Sequence, residues 1–147
     1  MKFSTRNLLF ALIALVLVIS GYWAYKSWNK PHRDVIAENA LFIEPENLYQ
    51  SVYLKGEKQY VDKAIQVKGK IADFQPGQSP VCVLEIPGFP DAGIRVSFQA
   101  NQAAKVSEQS MGARVEIKGI CTGVLADTLM DDLVSVDILV RDAIILP

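Results

Sequence analysis

Residues 65–71 read IQVKGKI and residues 115–121 read VEIKGIC, two stretches in which apolar and polar residues alternate. A period of two puts Ile65, Val67, Gly69 and Ile71 on one face of a strand, and Val115, Ile117, Gly119 and Cys121 on one face of another. Gly69 and Gly119 therefore stand on the apolar face, where packing wants a side chain. A glycine inside a strand marks the sharp bend that lets a small sheet close on itself.

Working outward, three more strands are predicted. Residues 81–86 carry Cys82, Leu84 and Ile86 on one face, and Ile94, Val96 and Phe98 alternate in a third strand. The punctuation between them is Pro76-Gly77 and then Pro87-Gly88-Phe89-Pro90-Asp91. Residues 101–109 are polar helix formers, predicting a short helix before the fourth strand at 113–123. An acidic connection from Asp127 to Asp132 leads to a fifth strand at 134–146. Upstream, Leu48, Tyr49, Val52 and Tyr53 recur at helical spacing. Pro45 suits the first turn of that helix and Gly56 its end. The order helix, β–β–β, short helix, β–β is that of a five-stranded OB-type barrel, with an open five-stranded sheet or an α+β sandwich as the alternative. The expected fold class is mainly β: this barrel, its short N-terminal helix, a short helix between strands three and four, and one transmembrane helix ahead of them.

The same residues resemble a known family. Tyr60-x-x-Lys63-x-Ile65-x-Val67-x-Gly69-x-Ile71, then Gly112-x-x-Val115-x-Ile117-Lys118-Gly119-x-Cys121-x-Gly123, is similar to the bacterial tRNA_anti-like OB-fold family. The Leu48-Tyr49 pair and the closing Val136-x-Ile138-x-x-Arg141-Asp142 fit the same pattern, and the similarity spans roughly residues 40–146. The resemblance implies a short bacterial protein with an N-terminal signal or anchor and no established activity. Its name records likeness to anticodon-binding domains and does not imply tRNA binding. Members often carry a cysteine in the third strand and another after the final Asp, where this chain has Val96 and Ala143.

Residues 8–25 hold 18 uncharged residues, opening with LLFALIALVLVI and closing in an aromatic belt of Tyr22, Trp23 and Tyr25, with Trp28 beyond. At about 1.5 Å per helical residue this approaches the hydrocarbon thickness of a bilayer. Bulky Tyr22 and Trp23 stand where a cleavage site wants small residues, which favours a retained anchor. The predicted organisation is a tail at 1–7, a transmembrane anchor at 8–25, a linker at 26–42 and an OB-fold domain at 43–147. The expected location is the bacterial inner membrane, single-pass, with the domain on the periplasmic side.

From Pro31 onward, 11 Lys and Arg face 16 Asp and Glu, a formal charge of −5. Nucleic-acid surfaces need clustered positive charge, so nucleic acid is not the expected partner. The positive residues available on the strands of an OB binding face are Lys68, Lys70 and Arg95. Asp127, Asp131 and Asp132, with Asp137, crowd a loop that frames OB ligand sites, but lack calcium-loop spacing. These six, Lys68, Lys70, Arg95, Asp127, Asp131 and Asp132, are the candidate ligand-binding residues. Cys82 and Cys121 alternate with inward residues of strands two and four. Those strands are not neighbours in an OB sheet, which favours buried thiols, with a disulfide as the alternative in an oxidising compartment. His32, the single histidine, falls in the linker without oriented partners. No nucleophile–base pair, metal cluster or phosphate loop stands out, so no catalytic residue, metal or cofactor is expected. The expected function is a non-enzymatic, membrane-anchored binding module of the cell envelope that takes an envelope protein or small ligand. The alternative is a single-stranded nucleic-acid binder.

Overall fold

The computed structural model describes residues 5–28, 34–129 and 132–147. The chain divides into two compact units, residues 1–33 and 34–147. The first holds helix α1, Thr5–Trp28. Among the described residues it is the one helix long and apolar enough to cross a membrane. It runs past 8–25 at both ends because nothing before Pro31 breaks a helix. His32 lies outside the described residues.

The second unit begins with strand β1 (Leu41–Phe42), helix α2 (Pro45–Tyr49) and a π-helical turn, Gln50–Leu54. Five longer strands follow: β2 (Ala64–Gln75), β3 (Val81–Glu85), β4 (Ala92–Phe98), β5 (Arg114–Leu129) and β6 (Asp132–Ile145). A 3-10 turn, Ala100–Gln102, and helix α3 (Ala103–Ser107) connect β4 to β5. The sheet order β1-β2-β3-β4-β6-β5 closes through a further β2–β5 pairing. The result is a closed five-stranded barrel of OB type, with β4 and β6 parallel and the other barrel pairs antiparallel.

Closure depends on β2 serving two partners. Its residues 64–70 pair with β5, and residues 71–75 pair with β3, with a register shift between Ile71 and Asp73. Gly69 stands at the hand-over, as the alternation predicts. Gly119 sits where β6 comes closest: a Cβ there would lie 2.5 Å from Val140 Cγ1 and 3.1 Å from both Ala143 Cβ and the Arg141 carbonyl. Opposite it, β6 carries an extra residue relative to both β4 and β5. That residue is Asp142, at φ +53°, a left-handed conformation that Asp tolerates better than most. Gln99 holds the bulge, its backbone N–H donating to the Ala143 carbonyl and its side-chain amide to the Asp142 carbonyl, each at 3.1 Å.

The core is filled from every barrel strand, with Leu48, Tyr49 and Val52 entering from α2 and its π turn, and Val106 from α3. Phe98 is core, as its alternation implies. Gly56, at φ +64°, ends the helical segment.

Two stretches differ from the expected boundaries. Residues 34–42, expected as linker, belong to the second unit. Val35, Ala64, Ile120 and Ile144 are buried apart from the main core. Ala64 pairs with Ile120, and Lys118 with Ile144, so these lie on the outer face of the barrel. The turn bearing Val35 is tied to β5 by Lys118 Nζ donating to the Ile36 carbonyl at 2.9 Å. One buried valine in a polar stretch gives no periodic signal. The second difference is the acidic connection. β5 runs on to Leu129 and β6 begins at Asp132, so Asp127 and Asp132 lie on strands of a long hairpin. Asp131 lies outside the described residues.

Candidate functional site

Strands β2, β3 and β4 present their outward residues on one face of the barrel. On it lies a groove of about 640 Å³, floored by Val83 and Gly93 and walled by the 86–91 loop, Ser135 and Asp137. Gly93 keeps the floor low: a Cβ there would lie 2.6 Å from Val83 Cγ1 and 3.2 Å from Asp137 Oδ1. The loop is two consecutive turns, closed by Phe89 N–H to the Ile86 carbonyl and Ala92 N–H to the Phe89 carbonyl, each at 3.1 Å. Gly88 supplies the φ of +81° that they need. The Asp91 carbonyl accepts from Val136 N–H at 2.9 Å, tying the loop to β6. Phe89 stacks on Tyr49 of α2 with ring centroids 4.6 Å apart, and Tyr49 in turn contacts Tyr53 at 5.3 Å. Burial, chiefly, holds the Tyr49 phenol above its ordinary pKa.

The predicted basic residues reach this face already engaged. Arg95 donates from Nε and Nη2 to Asp137 Oδ2 at 3.0 and 2.9 Å. The Asp137 side chain is only 14% exposed, so this pair is partly desolvated and stronger than a surface one. Lys70 Nζ lies 3.6 Å from Glu85 Oε1. Lys68 and Lys70 share a second hollow of about 440 Å³ with Arg114, Glu44, Glu46 and Glu85, three charges of each sign. Asp127 is exposed and pairs with Ser135 on the groove's far wall, but does not line the groove. Asp132 opens β6 beyond it.

The groove's own charges are Glu85, Asp91 and Asp137. Sequence reasoning placed Asp137 with the loop carboxylates and passed over the other two. The outward phase of Glu85 beside Val83, and the turn residues Gly88 to Asp91, were the available signals. Among the described residues, no three His, Cys, Asp or Glu side chains are grouped to hold a metal.

Cys82 and Cys121 are free and buried, on strands that do not pair with each other. Desolvation pushes the Cys82 thiol up to about 12. It also raises Cys121, assisted by Asp62 and partly opposed by a hydrogen bond from the Gly123 backbone. Only the thiolate is nucleophilic. An aromatic disulfide reagent at pH 8 is therefore expected to titrate both thiols only at the rate of unfolding, with denaturant releasing both at once. Fast labelling of either in the native state would contradict this burial. The shift also sets a pH dependence. Both thiols bind protons more tightly folded than unfolded, so their contribution to stability is intact below about pH 9 and lost as the pH rises above it, for Cys82 through about 12.

Comparison with known proteins supplies the last observations. The tRNA_anti-like family model matches residues 1–133. No curated protein matches. A crystal structure of a lipoprotein from Klebsiella pneumoniae, proposed to bind nucleic acid, is similar at a TM-score of 0.55 and 17% identity, covering 80% of this chain and 100% of the lipoprotein. A protein from Leishmania major proposed to be an aspartyl-tRNA synthetase gives a TM-score of 0.48 at 7% identity over 78% of this chain, which spans only 22% of that protein. The likeness to the lipoprotein is one of fold.

Proposed function

The chain belongs to the tRNA_anti-like family, and from that premise we propose that it is a non-enzymatic OB-fold binding module, held at a bacterial inner membrane by α1. Its ligand is an envelope protein or a small molecule, received on the face of β2, β3 and β4. The observation that carries this reading is the lining of the main groove, which holds three carboxylates and no basic residue. A phosphate backbone needs the opposite. The positive residues near the groove each face one of its carboxylates, Arg95 at Asp137 and Lys70, more loosely, at Glu85, which leaves Asp91 as the excess charge of the lining. The aromatics near this face are engaged in packing: Phe98 is core, Phe74 packs partly against it, and Phe89 lies half-buried against Tyr49. The apolar floor and the Pro87-Gly88-Phe89-Pro90 loop suit an uncharged or basic ligand instead.

Nucleic acid is the second reading, favoured by the description of the Klebsiella lipoprotein that shares this fold. The two separate cleanly. The full chain in detergent micelles is expected to leave the fluorescence anisotropy of mixed-sequence single-stranded DNA and RNA unchanged at physiological salt. Two or three phosphate contacts, at a salt slope of about −0.7 each, release too few counterions to offset a net negative domain. Micromolar binding that weakens steeply with salt would promote the nucleic-acid reading and sink the first.

A further inference from the structure

The 86–91 loop borders two hollows. Residues 88–92 form one side of the main groove. The same five residues, with Tyr49 and Val136, line a smaller hollow of about 160 Å³. Phe89, half-buried, and Asp91, exposed, therefore belong to both. The three carboxylates of the groove differ in what they already hold. Asp137 accepts two hydrogen bonds from Arg95, and Glu85 has Lys70 at 3.6 Å. The Asp91 side chain has no hydrogen bond or ion pair among the described residues. Its backbone carbonyl alone is used, to tie the loop to β6. The Asp91 charge also helps to raise the Tyr49 phenol, so it stands close to the stacked pair of Tyr49 and Phe89.

We propose that the groove takes a small organic cation, its ammonium or guanidinium group held by Asp91 beside Phe89 and its apolar part on the floor of Val83 and Gly93. The proposal rests on the reading of this groove as the ligand face, and names the chemistry of what enters it. An aromatic ring attracts a cation through its quadrupole, and a carboxylate at the same place adds a charge-assisted hydrogen bond. Neither group favours an anion. An uncharged ligand would cover Asp91 without replacing the water that the carboxylate loses. No basic residue lines either hollow, so an entering cation meets no competitor within them. Volume sets the size of the ligand: about 640 Å³ lies inside the range of small-molecule sites, about 300–1,000 Å³. The holding groups are also in place beforehand. Turn hydrogen bonds and the left-handed φ of Gly88 shape the loop, and the contact of Phe89 with Tyr49 pins it to α2. Such preorganisation lowers the ordering cost of binding.

The test is an amide chemical-shift titration of the isotope-labelled full chain in uncharged maltoside micelles. Three probes of one shape are compared: phenethylammonium, phenethyl alcohol and phenylpropionate. Phenethylammonium is expected to move the Gly88 and Gly93 amides saturably, with an affinity at least about fivefold above that of the alcohol. Phenylpropionate is expected to bind more weakly than either. Asp91→Asn is expected to bring the amine down to the affinity of the alcohol, and Asp91→Glu to keep most of it. Asp127→Asn makes the same change of charge away from the groove, and is expected to cost less than about twofold. Unmoved amides of Ile117 and Val140, both in the core, show that the barrel is intact in each variant. Equal affinity for amine and alcohol, or amine binding that survives Asp91→Asn, would overturn the cation and leave the groove as the ligand face. Silence at Gly88 and Gly93 toward all three probes would overturn it as well. If single-stranded DNA moves the amides of Lys68, Lys70 and Arg95 instead, the reading of the groove itself falls too.

Discussion

Gly119→Val is expected to lower the unfolding free energy by about 2–4 kcal/mol. The new Cβ alone would press within 2.5 Å of Val140 Cγ1 and 3.1 Å of the Arg141 carbonyl. A side chain on β6 could rotate away, but the carbonyl is part of the ladder that joins β5 to β6. The two γ-methyls of valine then enter a space already filled by Ala143. Relief requires β5 and β6 to separate at the bulge around Asp142, which also disturbs the parallel pairing of Phe98 with Ala143. Gly69→Ala is the informative partner. There the new Cβ would meet only Leu84 side-chain atoms, at 3.2 to 3.6 Å, and a cost below about 1.5 kcal/mol is expected. Urea unfolding of residues 34–147, which carry the entire core, measures both. A Gly119→Val effect under about 0.5 kcal/mol would mean that the strands do not approach as closely as described.

Tyr49→Ala is expected to cost about 3–5 kcal/mol, the range for removing a buried aromatic side chain. Tyr49 is 6% exposed and stacks on Phe89 and Tyr53. Its loss empties one wall of the core and frees Phe89, the ring that fixes the loop over the groove. Tyr49→Phe keeps the ring and should cost less than about 1.5 kcal/mol. Unfolding of the two variants side by side is the measurement. If alanine and phenylalanine behave alike, the ring is not what holds α2 to the loop.

The barrel was legible because its signals are local. Strand alternation, the loop glycines and the helix between β4 and β5 each occupy a few consecutive residues. Even the bend glycines could be found from their place on the apolar face, though sequence treats Gly69 and Gly119 alike. Structure separates them, since one faces a flexible leucine and the other a backbone carbonyl. What escaped was pairing at long range. The neutralisation of Arg95 by Asp137 joins parallel strands 42 residues apart, and no pattern along the chain announces it. The same holds for Val35, buried in a polar stretch that gives no periodic signal. The bulge at Asp142 was present in the sequence only as a polar residue in a strand, which reads equally well as an exposed position.

The hairpin of β5 and β6 reaches past the closed barrel. β2 leaves β5 at Ile120, and β4 joins β6 only from Val136, so among the described residues the end of the hairpin, 127–129 with 132–135, pairs with no other strand. Strand edges of this kind are a template on which a neighbouring chain can add a strand, and Leu125, next to it on β5, is exposed. Its sequence, LADTLMDDLV from 125 to 134, places three aspartates among the apolar residues. Stacking copies of this strand edge to edge would bring the Asp127 carboxylates into a row about 4.8 Å apart. Charge on such a segment opposes edge-to-edge association, and Asp127→Asn is expected to weaken that repulsion.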